Sequence, residues 1–438
     1  MSVSGYNYLT PRMGVAYDVF GNGKTAVKAN LGKYLQSATN DESYTANNPA
    51  NRFVTSVGAR NWTDGNRNFV VDCDLSNPLA QNNLATGGDS CAALGGNNLN
   101  FGNPNPALTV VNPAILGGWG VRPWDWQLGA SVQQEIAPRV SVDVGYNRRW
   151  FGNFFVVANS LTTAADYDKW NFTAPQNPAL PVSGSTLTYV NLTPAASARG
   201  ARNYQTFETD YAPARTQYWH GVDVNLNARL RNGIIFQGGT TTGRGVQNTC
   251  ALVAKLPELL AVVSGATTIK QRIDSCDVTE PFVTTFRGLA TYTIPKVDVL
   301  VSANMRSMPT AALGTGSVSA SNGNSRAANI NVPNTVVQQA LGRLPANGLP
   351  TGTTAVNMLV PGVLYGGRVT QVDMRFAKIV RFGTRRIDIG VDLYNAFNTS
   401  DANMFVQTYD YATNGATYMR PAAIVSPRFV RFNVRFDF

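Results

Sequence analysis

Arg428-Phe429-Val430-Arg431-Phe432-Asn433-Val434-Arg435-Phe436-Asp437-Phe438 closes the chain, and its reading decides the fold. Val430, Phe432, Val434, Phe436 and Phe438 alternate with Arg431, Asn433, Arg435 and Asp437. Successive side chains of a β-strand point to opposite faces, so this segment has one apolar and one charged face. The same period of two recurs upstream. Ile387, Ile389, Val391 and Leu393 alternate with Arg386, Asp388, Gly390 and Asp392. Val140, Val142, Val144 and Tyr146 alternate with Ser141, Asp143 and Gly145; Val222, Val224, Leu226 and Ala228 alternate with Asp223, Asn225, Asn227 and Arg229.

Outward from these segments, short and long connections take turns. Tight turns of Gly, Pro and Asn chemistry join 12–19 to 25–35 (Gly21-Asn22-Gly23-Lys24), 123–135 to 139–150 (Ala137-Pro138), and 215–230 to 233–243 (Asn232-Gly233). Two more join 284–294 to 296–306 (Pro295) and 368–381 to 384–397 (Phe382-Gly383). The other connections are long, at 36–122, 151–214, 244–283, 307–367 and 398–425. Loops of this length are rare in compact soluble domains. Short turns at one rim and long loops at the other, joining strands of roughly ten residues, form the pattern of an outer-membrane barrel. The expected fold is therefore all-β: an antiparallel transmembrane meander of about eleven strands, with a further strand conceivable near Phe53 to Val57. An odd count predicts an incomplete barrel, since bacterial single-chain barrels have even strand numbers.

Composition agrees. The 438 residues are 44% hydrophobic and 14% charged, well below the roughly 25% charge of soluble domains. No apolar run reaches the ~18 residues of a spanning helix, so a membrane location requires a closed barrel. Met1 is not followed by an export signal, which for an exported protein predicts an N-terminal part outside this sequence. The net charge of +10 is scattered and forms no basic block; outer-membrane lipid and lipopolysaccharide phosphates are expected partners, and nucleic acid is not. Aromatics near strand ends (Tyr17, Phe20, Tyr34, Trp124, Trp126, Tyr146, Trp150, Trp219, Tyr292, Tyr394 and Phe397) fit interfacial girdles. Core filling in a β-sandwich is the plainer alternative, which the polar face and the asymmetric loops disfavour.

The cysteines fall in two pairs, Cys73 with Cys91 and Cys250 with Cys276, each within one long loop. Two disulfides suit an oxidising compartment; four free thiols are the alternative. Metal binding is disfavoured, because there is no Cys-x-x-Cys spacing and His220 is the lone histidine, read as an interfacial or loop residue. Asp388 and Asp392 are expected to face a watery lumen and pair with arginines such as Arg375 and Arg435, not to perform acid–base chemistry. Gly238-Gly239 and Gly243-x-Gly245 lack the context of a phosphate loop and read as flexible strand ends. Trp62, Trp119 and Trp170 fall in outer loops, where they either grip a ligand or pin the loops. No cofactor and no enzymatic activity are expected, and no ligand site is named.

Two stretches carry a family resemblance. Pro11-Arg12-Met13-Gly14-Val15-Ala16-Tyr17-Asp18 with Phe20-Gly21-Asn22-Gly23-Lys24-Thr25 resembles the mid-barrel hairpin of TonB-dependent receptors, in particular the Oar-like group, whose complete members begin with a carboxypeptidase-regulatory-like domain. Asp392-Leu393-Tyr394-Asn395-Ala396-Phe397-Asn398 resembles the family's penultimate strand, and Arg431 to Phe438 its last. The resemblance implies a plugged 22-stranded barrel of which residues 1–438 are the C-terminal portion, without TonB box, plug or N-terminal strands. It implies a receptor in the bacterial outer membrane that imports a siderophore, peptide or oligosaccharide, the extracellular small ligand being caught by the loops. The TonB complex would act through the missing part. Phe432, Val434, Phe436 and Phe438 would form the signal read by the barrel-assembly machinery. The rival reading is a non-transporting adhesin or surface-binding barrel.

Overall fold

The computed structural model describes residues 5–36, 60–94, 109–230, 233–264, 267–310, 329–406 and 408–437. Phe53 to Val57, Asn232 and Phe438 lie outside the described residues. The fold is all-β. Eleven strands follow one antiparallel path: β1 (Arg12–Asp18), β2 (Thr25–Leu35), β3 (Trp124–Ala137), β4 (Val140–Gly152), β5 (Thr216–Arg229), β6 (Ile234–Asn248), β7 (Val283–Ile294), β8 (Val299–Pro309), β9 (Arg368–Phe382), β10 (Arg385–Tyr394) and β11 (Phe429–Asp437). A short twelfth segment, Asp277–Thr279, pairs with the far end of β6 off this path. Among the described residues β1 pairs only with β2 and β11 only with β10, so the path does not close on itself. No helix among the described residues is long and apolar enough to cross a membrane.

Local chemistry sets the tight rim. Asp18 accepts from Gly23 N at 2.6 Å and Asn22 from Lys24 N at 3.0 Å, while Gly21 and Gly23 take positive φ. Arg139 turns the β3–β4 corner at φ 67° and its N–H donates to Glu135. Lys296 and Asp298 carry positive φ between β7 and β8, and Gly383 does so between β9 and β10.

At the opposite rim the long connections fold on one another into a head, which period-two reading did not foresee. Tyr167–Thr173 pairs with Thr186–Leu192. A five-stranded sheet joins Ala261–Ser264, Thr267–Lys270, Thr353–Asn357, Asn329–Pro333 and Thr408–Tyr409, drawn from three different connections. The head has a dry core of Trp170, Tyr189, Ile330, Val332, Val356 and Met358, closed by Val337 of helix α1 (Asn334–Leu341). Two disulfides staple the long connections: Cys250–Cys276 within the head, Cα atoms 4.8 Å apart, and Cys73–Cys91 within the first connection, 6.4 Å apart.

Candidate functional site

Register assigns each wall residue to a face. Opposed residues on neighbouring antiparallel strands point the same way. Val434 opposes Ile389, which opposes Lys378; Phe432 opposes Val391, which opposes Phe376, then Val301 and Tyr292. Val144 opposes Val132 on one side and Val224 on the other, and Val132 opposes Val27. One face is thus a largely apolar band, and many of its members are exposed. Phe432 is 80% exposed and Ile389 52%. Patches of this extent are not left in water by soluble proteins.

The other face holds polar and charged groups, paired among themselves. Asp392, only 6% exposed, lies 2.8 Å from Arg431 Nη2, 2.9 Å from Asn433 Nδ2 and 3.7 Å from Arg375 Nη1. Arg386 grips Asp388 with two parallel bonds of 2.6 and 2.8 Å. Arg149 holds Asp125 in the same bidentate way at 2.9 and 3.1 Å, the strong geometry for a carboxylate. Asn147 donates to Asp223 at 2.5 Å, and Arg306, Gln371 and Asp373 form a chain of hydrogen bonds. Recesses of about 840 Å³ and 410 Å³ open on this face, the first bordered by Glu135, Arg139 and Arg229, the second by Asn225, Arg287 and Asn304. Such a surface can line an aqueous passage. Among the described residues no group of His, Cys, Asp or Glu is arranged to hold a metal.

Several expectations are corrected here. Arg375 does pair with Asp392, but Arg435 turns to Asp437, 3.0 Å away, and Asp388 takes Arg386 from its own strand. Positions two apart on one strand share a face, so the long Arg386 side chain reaches Asp388 along β10 even though Arg435 stands directly opposite on β11. Gly238, Gly239, Gly243 and Gly245 lie inside β6, not at a flexible end. They make room for their neighbours: a Cβ at Gly243 would fall 2.3 Å from the Trp219 ring, and one at Gly239 the same distance from Val224 O. Trp219 therefore lies on the polar face over glycine, not in a lipid girdle, and Tyr34 and Tyr394 share that face by register. Trp126 and Trp150 do face outward, their rings stacked 6.3 Å apart. Of the loop tryptophans, Trp170 pins the head from within its core, and Trp62 donates to Asp89 at 2.8 Å. Trp119 stays exposed. His220 stands on the outward face of β5 among Tyr146, Tyr218 and Phe282, with Arg244 Nε 3.2 Å from its Nε2.

No protein-family model matches the chain, and no curated protein matches it. Solved structures to which the chain is similar include the outer membrane transporter YddB from Escherichia coli (11% identity, 97% of this chain, 40% of that one, TM-score 0.39). The ferripyoverdine receptor of the outer membrane of Pseudomonas aeruginosa matches at 11% identity over 98% of this chain and 33% of that one, with a TM-score of 0.41. The siderophore receptor PirA from Acinetobacter baumannii matches at 11% identity over 97% and 40%, with a TM-score of 0.36. The chain spans 33–40% of the length of these proteins.

Proposed function

We propose that these strands belong to a bacterial outer-membrane barrel of the TonB-dependent receptor type, which imports an extracellular small molecule and catalyses no reaction of its own. The observation that carries this reading is the inverted wall: exposed apolar residues on one face and paired charges on the other, sustained over eleven strands. In oil every backbone polar group needs a partner, so the open edges at β1 and β11 require further strands beside them. The hairpin at Pro11 to Thr25 and the closing strand support the receptor family, and the Oar-like group within it. Phe432, Val434, Phe436 and Phe438 would serve as the assembly signal, and the two stapled loops suit an oxidising exterior. The head would catch the ligand, a siderophore, peptide or oligosaccharide, and TonB would supply energy through a plug.

Deleting the gene tests this reading. Uptake of one ligand class should fall in the deletion strain and in a strain lacking TonB alike. Uptake that stays intact while cell-surface binding is lost would replace the receptor with an adhesin.

A further inference from the structure

Consecutive arginines on β4 part company. Arg149 turns to the polar face and pairs with Asp125. Arg148 turns to the apolar face, where its guanidinium lies 4.9 Å from the Tyr218 ring and 6.0 Å from that of Trp150. The same division runs through the wall. Every Asp and Glu of the eleven strands, from Asp18 on β1 to Asp437 on β11, takes the polar register. The charges in the apolar register are all cations, and among the described residues Lys33, Arg148, Arg244 and Arg368 form no ion pair.

Three of the outward groups are adjacent. Arg148 opposes His220, and His220 opposes Arg244, across β4, β5 and β6 near the rim of the long connections. Arg244 donates through Nε to His220 and lies 4.6 Å over the Phe282 ring; its Nη groups make no hydrogen bond among the described residues. Lys33, nearby on β2, lies 5.1 Å over Trp124 and 5.9 Å over Trp126. Below this row the face is Tyr146, Val222, Val144 and Val224. Aromatic rings mark the level of lipid headgroups, and long cations reach that level from an apolar wall. Guanidinium groups bind phosphate oxygens bidentately.

Resting on the reading that the apolar face meets lipid, we propose that Arg148 and Arg244, either side of His220, clasp the phosphates of an anionic lipid in the leaflet beside the long connections. With no outward carboxylate among the described residues of the eleven strands, this face carries a single sign of charge, complementary to phosphate and to nothing cationic. Desolvated guanidiniums without a counterion would be costly, and the lipid supplies one.

The test uses the protein extracted from membranes in neutral detergent, with binding read by native mass spectrometry. The probes are bisphosphorylated lipid A, the same lipid dephosphorylated, and inorganic phosphate. The double variant Arg148→Gln with Arg244→Gln should lose roughly thirtyfold in affinity for the phosphorylated lipid. Lys378→Gln, an outward cation at the tight rim, should leave it unchanged, and Arg148→Lys with Arg244→Lys should retain most of it. Equal binding of both lipids by the unaltered protein, or undiminished binding by the glutamine variant, would overturn the clasp. Displacement of the lipid by an equal concentration of inorganic phosphate would overturn the lipid assignment. Spin labels along β11 read the apolar face independently: alternating contact with oil and water there, combined with a failed clasp, would sink only the clasp.

Discussion

Phe432 on β11 and Trp170 in the head are both large aromatics, and they meet opposite fates: one is 80% exposed, the other 2%. The wall hides its carboxylates and displays its apolar side chains; the head hides apolar side chains and displays its polar ones. The contrast is the one expected of a chain that folds against two solvents. The head follows the rule of soluble domains, oil inside and water outside. The wall reverses it, as a barrel wall with hydrocarbon on one face would. A hydrogen-bonded backbone ladder is common to both, since an amide taken out of water needs a partner whether lipid or a protein core surrounds it.

Trp170→Ala gives the largest expected effect. Removing this ring from the head core should cost about 3–5 kcal/mol, seen as early loss of head protection in hydrogen exchange. The strands of the wall should stay protected, and their simultaneous loss would break the distinction between the two regions. Next comes a pair on the wall. Ile389→Arg should destabilise the protein in a bilayer by ~2–4 kcal/mol, while Asn433→Arg should cost far less, measured by denaturant titration in lipid vesicles. Equal costs would contradict the facing. Gly390 is a poor control, because a Cβ there would come 2.8 Å from Asn433 Oδ1.

The smallest effect concerns Glu258 in the head. Burial raises its carboxyl above the usual range, against hydrogen bonds from its own backbone, the Asn159 amide and the Tyr167 side chain, and burial foremost, with Glu258 alongside, pushes the Tyr167 hydroxyl up to about 12. A raised folded-state value means the unfolded chain releases its proton first. Stability is then greatest below the unfolded value and declines as pH rises through the folded one. Glu258→Gln keeps the acceptor for Asn159 and removes the charge. The variant should melt slightly higher than the parent at pH 8 and match it at pH 4; a gain only in acid would reverse the sign and refute the cause.

The wall was legible because strand alternation is a local signal, and each turn announces itself in Gly, Pro or Asn. Arg386 to Leu393 reads correctly without knowledge of its neighbours. The head was not legible. Its strands are short, and its sheet pairs Asn329–Pro333 with Thr408–Tyr409 in parallel, across some eighty residues of chain. No local periodicity encodes such a meeting. The glycines of β6 were misread for a related reason: the Trp219 ring that fills the space over Gly243 comes from the adjacent strand. The outward cations were visible one by one, as scattered basic residues. Their alignment depends on the offset between β4, β5 and β6, which a single strand does not carry.

The tight turns that set those offsets have a practical consequence for anyone wishing to alter this protein. One residue added within a strand would reverse the facing of everything up to the next corner, sending Arg149 and its neighbours into hydrocarbon. Corners closed by their own hydrogen bonds, such as Gly23 to Asp18 and Lys24 to Asn22, have little slack to absorb the slip. Epitope tags, grafted peptides and deletions are better placed at the rim of the long connections, away from the core around Trp170.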